Sequence, residues 1–369
     1  GHMTMHASDA VERERADAAT GPQAGRATGR TMRFALGPMR LSLSASTAIV
    51  VAVAVLLLLV TGCAVLMIGT VRLSVGDVVG ALVGGGPSKA ERVVWGIRLP
   101  RLLTAICVGA ALGASGCVFQ SVSRNALGSP DVIGFTTGAA TGATAQIVLI
   151  GKGGLATSLA AVGAGLATAI AVYLLARQRG RTGGYRLVLI GIGVSGMLSA
   201  MTSILLARSD LDLASRAQVW LAGSLSARTW EHASISAAGV LVLLPVLVAF
   251  ARRLSVMEMG DDQAEGLGVG TERTRLIVMV VGVVLAASAV AAAGPIAFVA
   301  LAAPQIVRRL TEVAGVQVLT SALIGALLLV AADLLSMVLP SRLTMPVGLV
   351  TGVIGGVYLL WVLSAKENV

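Results

Sequence analysis

From Ser46 to Leu363 the chain alternates between apolar runs and short polar connections. Most runs are about 17 to 24 residues long, enough for a helix to cross the hydrocarbon core of a bilayer. They predict spans at Ser46–Gly69, Arg98–Ser121, Val132–Ile150, Leu155–Ala176, Leu187–Ala207, Ala233–Phe250, Leu276–Ala293, Leu319–Leu339 and Val347–Leu363. Gly294-Pro295 and Pro304 cut a further run to Ile296–Ala303. That pattern predicts a broken half helix lining a cavity. Thr70–Ile97 reads as an external loop, and Ser209–Trp230 as a short external helix against the bundle mouth. The predicted fold class is all-α: a polytopic membrane helical bundle of about ten transmembrane helices, with short external and cytoplasmic helices.

The stretch Arg98 to Gly134 organises the rest. Two arginines bracket Leu99-Pro100, an apolar helix follows, and a polar elbow closes it at Arg124 to Pro130. Gly109, Gly113 and Cys117 fall on one face of that helix, so a neighbour can approach its backbone and the helix belongs mid-bundle. Gly134, Gly138 and Gly142 repeat the device in the next span. Gly191-Ile192-Gly193-Val194-Ser195-Gly196 spells a dinucleotide fingerprint. It lies inside an apolar span with no preceding strand and no acidic partner downstream, so it reads as a helix-packing face.

Composition confirms the class: of 369 residues 56% are hydrophobic and only 12% charged, with 45 glycines. The net charge of +10 comes from Lys and Arg in the connections, above all Arg177, Arg179, Arg181 and Arg186, which mark cytoplasmic loops rather than a nucleic-acid surface. Both termini are predicted cytoplasmic. Gly1-His2-Met3 reads as a cloning remnant, and residues 1–45 as a disordered cytoplasmic tail. Residues 46–363 form the transmembrane domain and 364–369 a cytoplasmic C-terminal tail. Cys63, Cys107 and Cys117 lie in apolar runs without metal or disulfide spacing. No cofactor or metal site is expected.

Nothing in the pattern points to covalent chemistry, and no Walker A sequence is present, so no enzymatic activity is expected of this chain. Asp333 is the one acidic residue inside an apolar run. It fits a helix tether better than the proton relay of a secondary carrier. Between Leu254 and Arg275, Glu258 to Gly268 carries an acidic start and a Gly-bounded helical turn, a pattern that suits docking into a groove of another protein.

Several stretches together resemble the permease subunits of bacterial ABC importers for ferric siderophores, haem and vitamin B12. They are RLPR at Arg98–Arg101, GAALGASG with Gln120, the elbow Arg124–Pro130, Trp220–Leu225, GDDQAEGLG, GPIAFVALAAPQIVRRL at Gly294–Leu310 and MPVGLVTGVIGG at Met345–Gly356. The pattern is most similar to the enterobactin-like, catecholate subtype. The resemblance implies a second permease of the same or a different chain, two ATPase subunits that hydrolyse ATP, an external substrate-binding protein and a ferric siderophore. Arg98 and Arg101 would salt-bridge to the binding protein. Arg342 would stand in for a family arginine replaced here by Met337. Gln120, Asn125, Leu127 and Pro130, with Gly184 and Tyr185, would form the path and its gate. Glu258, Gly260, Asp261, Asp262, Gln263, Ala264, Gly266, Leu267 and Gly268 would form the coupling helix in the ATPase groove. Family members often carry Pro-His where Pro304-Gln305 stands, so that histidine's role is absent.

Overall fold

The computed structural model describes residues 31–36, 39–69, 71–131, 133–151, 154–178, 181–182, 184–339 and 345–364. Residues 1–30 of the predicted tail, 365–369 and Arg342 lie outside the described residues.

Contacts divide the chain into two units, residues 1–45 and 46–369. In the first, β1 (Thr31–Leu36) pairs antiparallel with β2 (Met39–Ser44), Met32 opposite Leu43 and Phe34 opposite Leu41. A disordered tail was the expectation there. The alternation of Met32, Phe34 and Leu36 with Thr31, Arg33 and Ala35 is a strand period, masked by the polar composition around it.

The second unit is helical. Its elements are α1 (Ala45–Met67), α2 (Val75–Val83), α3 (Ser88–Val93), a π turn (Val94–Arg98) and α4 (Leu99–Ser123). Then come α5 (Phe135–Ala145) with a π turn (Gln146–Ile150), α6 (Leu155–Ala176), α7 (Gly184–Ala207), α8 (Leu211–Leu221) and α9 (Trp230–Met257). The chain ends through α10 (Asp261–Gly266), α11 (Thr271–Ala293), α12 (Val299–Thr311), α13 (Val318–Val338) and α14 (Val347–Ser364). Two-residue strands, β3 (Arg177–Gln178) and β4 (Arg181–Thr182), join α6 to α7. Among the described residues seven helices are long and apolar enough to cross a membrane. The shorter apolar helices Phe135–Ile150 and Val347–Tyr358, with α12, occupy the remaining predicted positions.

The middle of the bundle is α4, as the small-residue spacing predicts. The span containing it is 78% buried, against 11% for α7. Packed around α4 are α13, α9, α11 and α12. A side chain at Gly109 would strike the Gly325 carbonyl and Ala326, and one at Gly113 the Ser321 carbonyl and Gly325. The two helices thus meet backbone to backbone, which in lipid supplies the dispersion contact that no hydrophobic drive provides. On α5, Gly138 and Gly142 meet Ala164 and neighbouring residues of α6 in the same way. By contrast an added Cβ at Gly193 or Gly196 of α7 would meet nothing within 4 Å among the described residues, so that side of the stretch read as a packing face is open here, while Ser195 and Gly191 lie against Gly134.

Two further expectations change. Residues 71–97 of the expected external loop form a small helical platform: Ser74 and Asp77 form a reciprocal capping box that starts α2. The Trp95 and Trp230 rings, with centroids 6.0 Å apart, stack beside the start of α9. Nor does Pro304 end a helix, because α12 runs through it. A proline leaves the carbonyl four residues earlier without its helical donor, here Ala300. That carbonyl lies against Gly116 of α4, where a bare Cα allows the approach. Gly116→Val should therefore abolish a monodisperse folded species in detergent, whereas Gly163→Val, with nothing near its Cβ, should shift stability by no more than about 0.5 kcal/mol. Size-exclusion profiles and thermal unfolding of the two variants check this.

Candidate functional site

The bundle carries polar machinery at both ends. At one end α4 stops on Arg124, a left-handed C-cap with φ 48°. In the elbow that follows, the Asn125 side-chain oxygen accepts from Leu127 N at 2.9 Å, an Asx turn. Leu127 is exposed and Pro130 buried. Gln305 of α12 clips the elbow, donating to the Ala126 carbonyl and to Gln120 Oε1, each at 2.8 Å. Gln120 itself is buried and donates to the Leu301 carbonyl at 3.0 Å. It braces α4 against α12 rather than lining open space. Where a histidine was noted as missing, Gln305 is thus a working joint. Gly184 opens α7, and Tyr185 beside it is 81% exposed.

Against this elbow sits α10. Gly260 at φ 130° and Gly268 at φ 82° bound it, conformations that suit glycine. Ala264 is buried beneath it, while Asp262, Gln263, Glu265, Gly266 and Leu267 face outward. A Gly-bounded helical turn is what the sequence pattern predicts here. Asp261 accepts from Arg275 at 2.9 and 3.0 Å and also from Arg124. Arg308 of α12 donates to Glu258 at 2.9 Å.

At the other end Arg98 is turned inward. Its side chain donates to the Leu66 carbonyl at 2.5 Å and to that of Val71, closing the C-terminal end of α1. Arg101 makes a two-point ion pair with Asp333 of α13, Nε to Oδ2 at 2.9 Å and Nη2 to Oδ1 at 2.7 Å. The Asp333 side chain is 1% exposed and that of Arg101 20%. The two arginines do not converge on one external carboxylate, and Asp333 is a tether between α4 and α13.

A cavity of about 670 Å³ opens on another face, lined by Asp131, Thr136, Thr137, Ser199, Phe298 and Leu349 among others. Its floor depends on backbone departures from helix: Gly223 at φ 64° packs on the Pro295 carbonyl, and Phe298 at φ 67° starts α12. Among the named lining residues Asp131 alone is ionisable. Burial raises its carboxyl above the usual range, partly opposed by the hydrogen bond that Thr136 donates. Sequence reasoning passed over Asp131, since an acidic residue after Pro130 reads as a turn; its position one residue beyond the elbow was the available signal.

Helices of membrane-crossing length around a bare-backbone centre, with an elbow, a hinged outward helix and a side cavity, define a polytopic membrane permease. The chain belongs to the FecCD transport family, whose model matches residues 33–365. It is 46% identical over 316 residues to the ferric enterobactin transport system permease protein FepG of Escherichia coli (strain K12), covering 84% of this chain and 95% of that protein. Similarity to the cobalamin import system permease protein BtuC of Halobacterium salinarum is 36% over 284 residues, 77% of this chain and 76% of that one. A solved structure assigned to the metal-chelate type of ABC transporter, in an inward-facing conformation, superposes with a TM-score of 0.77 at 30% identity, covering 86% of this chain and 99% of that chain.

Removing one partner of a buried ion pair leaves the other charge uncompensated. Arg101→Ala should destabilise the bundle by about 3 kcal/mol, and Arg101→Ala with Asp333→Leu should recover most of it, as read by thermal unfolding in detergent. A carboxyl whose folded pKa is raised contributes full stability below its unfolded pKa and loses it as pH rises through the folded value. Relative to Asp131→Asn, the native chain should therefore lose stability as pH is raised from about 4 toward neutrality, with the variant flat by comparison.

Proposed function

We infer that the chain is the permease subunit of an ATP-driven importer that moves a ferric siderophore, of catecholate type, across a bacterial cytoplasmic membrane. The observation that carries this reading is the 46% identity to FepG over 95% of that protein's length, well above the 36% identity to the cobalamin permease. Haem and vitamin B12 are the alternative cargoes. The arginine-rich connections support an orientation with the elbow and α10 on the cytoplasmic side and both termini there.

Function follows from the two ends. The outward face of α10 docks in a groove of an ATPase subunit, which hydrolyses ATP outside this chain. Closure of two such ATPases draws the coupling helices together and changes which side of the membrane the path opens to. Open small-residue faces at Gly193 and Gly196 of α7 and at Gly352 and Gly356 of α14 support pairing with a second permease. An external binding protein docks through the partly exposed edge of Arg101, with Arg98 holding α1 in place behind it; Arg342 is a further docking residue. The chelate passes the cavity at Asp131 and Phe298 and leaves by the elbow, where Asn125, Leu127 and Pro130 narrow the exit and Gly184 and Tyr185 flank it. A secondary carrier resting on Asp333 is disfavoured by the pairing of that carboxylate with Arg101.

Uptake of radio-iron as a ferric triscatecholate, by a strain lacking this chain and the same strain re-expressing it, tests the reading alongside haem and B12. Restoration for the ferric complex alone is expected. Restoration of haem or B12 uptake instead would keep the family and overturn the cargo.

A further inference from the structure

The Asp261 carboxylate is shared by two arginines from different helices. Arg275 of α11 donates to both its oxygens, at 2.9 and 3.0 Å, and Arg124 at the end of α4 donates to Oδ1. Neither arginine is free to follow Asp261 passively. The Arg275 side chain is 5% exposed and also donates to Glu272 at 3.1 Å, and Glu272 accepts from Tyr173 of α6 at 3.0 Å. Arg124 is fixed through its backbone N–H to Gln120 and Ser121, and its Nε donates to the Met257 carbonyl at 3.2 Å. Asp261 itself is the first residue of α10, whose flanking glycines have nothing within 4 Å of an added Cβ. Ala264 is buried beneath the helix and Glu265 accepts from Thr271 at 2.8 Å, so the short helix is anchored to the start of α11, and one carboxylate ties it to α4 and α11 together.

The residue after Arg124 begins the elbow, and the far side of the elbow is held by Gln305. A displacement of Asp261 pulls on Arg124 and so on a left-handed residue at the junction of the central helix with the exit. Charge-assisted bonds to guanidinium are stronger and more directional than neutral ones, and this one, between two partly exposed side chains, joins α10 directly to the end of α4.

We propose that Asp261 and Arg124 are the positioning pair that transmits movement of α10 to the elbow, with Arg275 as the fixed pivot. This rests on the reading of α10 as the ATPase-docking helix. Asp261 faces inward for transmission, and the outward residues Asp262, Gln263 and Leu267 make the docking contact.

The test uses the whole transporter, purified through an affinity tag on this chain and reconstituted in proteoliposomes. The readout is ferric triscatecholate moved per ATP hydrolysed, with ATPase stoichiometry measured on the same sample. Arg124→Gln and Asp261→Asn should each retain the ATPase and lower transport per ATP at least tenfold. Arg124→Lys and Asp261→Glu should recover part of it. A purely structural role would lower yield or thermal stability while leaving that ratio at the native value in the protein that survives, and such a result overturns the proposal. Loss of the ATPase from both variants also overturns it, because Asp261 would then belong to the docking face. If Asp261→Asn does not fold, Arg124→Gln decides alone, since it leaves the Asp261 contact with Arg275 in place. Absence of an ATPase from the native preparation would instead overturn the functional reading beneath.

Discussion

Backbone contact between α4 and its neighbours is the constraint on which everything else depends. Lipid gives helices no hydrophobic reason to associate, so the bundle holds where backbones approach closely enough for dispersion and weak Cα–H contacts to add up. Gly109 and Gly113 admit α13, and Gly116 admits the carbonyl that Pro304 frees on α12. With α4 fixed in this way its two ends become fixed points. One carries Arg101 and its tether to Asp333; the other carries Arg124 and the elbow.

The polar groups are arranged differently at the two ends. At the Arg98 end the two arginines of α4's start are satisfied internally, Arg98 by two carbonyls and Arg101 by a carboxylate. Both arginines are thereby held in place. Near the Arg124 end the ion pairs bridge separate helices, α4 to α10, α10 to α11 and α12 to the end of α9. Each of those pairs lies across a boundary that a moving α10 would disturb.

The helical class, the spans, the ridge on α4 and the Gly-bounded α10 were all legible in sequence, because hydrophobic length and small-residue spacing are local properties. What was not legible depended on partners distant in the chain. Arg98 reads as a surface arginine until Leu66 and Val71 supply acceptors for it. Pro304 reads as a helix stop until Gly116 accommodates the carbonyl it frees. Gln305 reads as a lost histidine until it is seen holding Ala126 and Gln120. Asp131 carries no periodic signal, and its surroundings depend on α5, the Pro295–Phe298 segment and α14 meeting around one cavity.

The central claim is that energy enters this chain through the outward face of α10. Cysteine cross-linking measures that contact most directly, with Leu267→Cys introduced into the tagged chain, single cysteines placed along the groove of the ATPase subunit, and membranes oxidised with and without ATP. Leu267 is 68% exposed on that face. The account predicts a disulfide-linked product with an ATPase subunit, with a yield that changes on ATP binding. A product that forms with no ATPase subunit, in either nucleotide state, while the transporter is assembled and active, would contradict it.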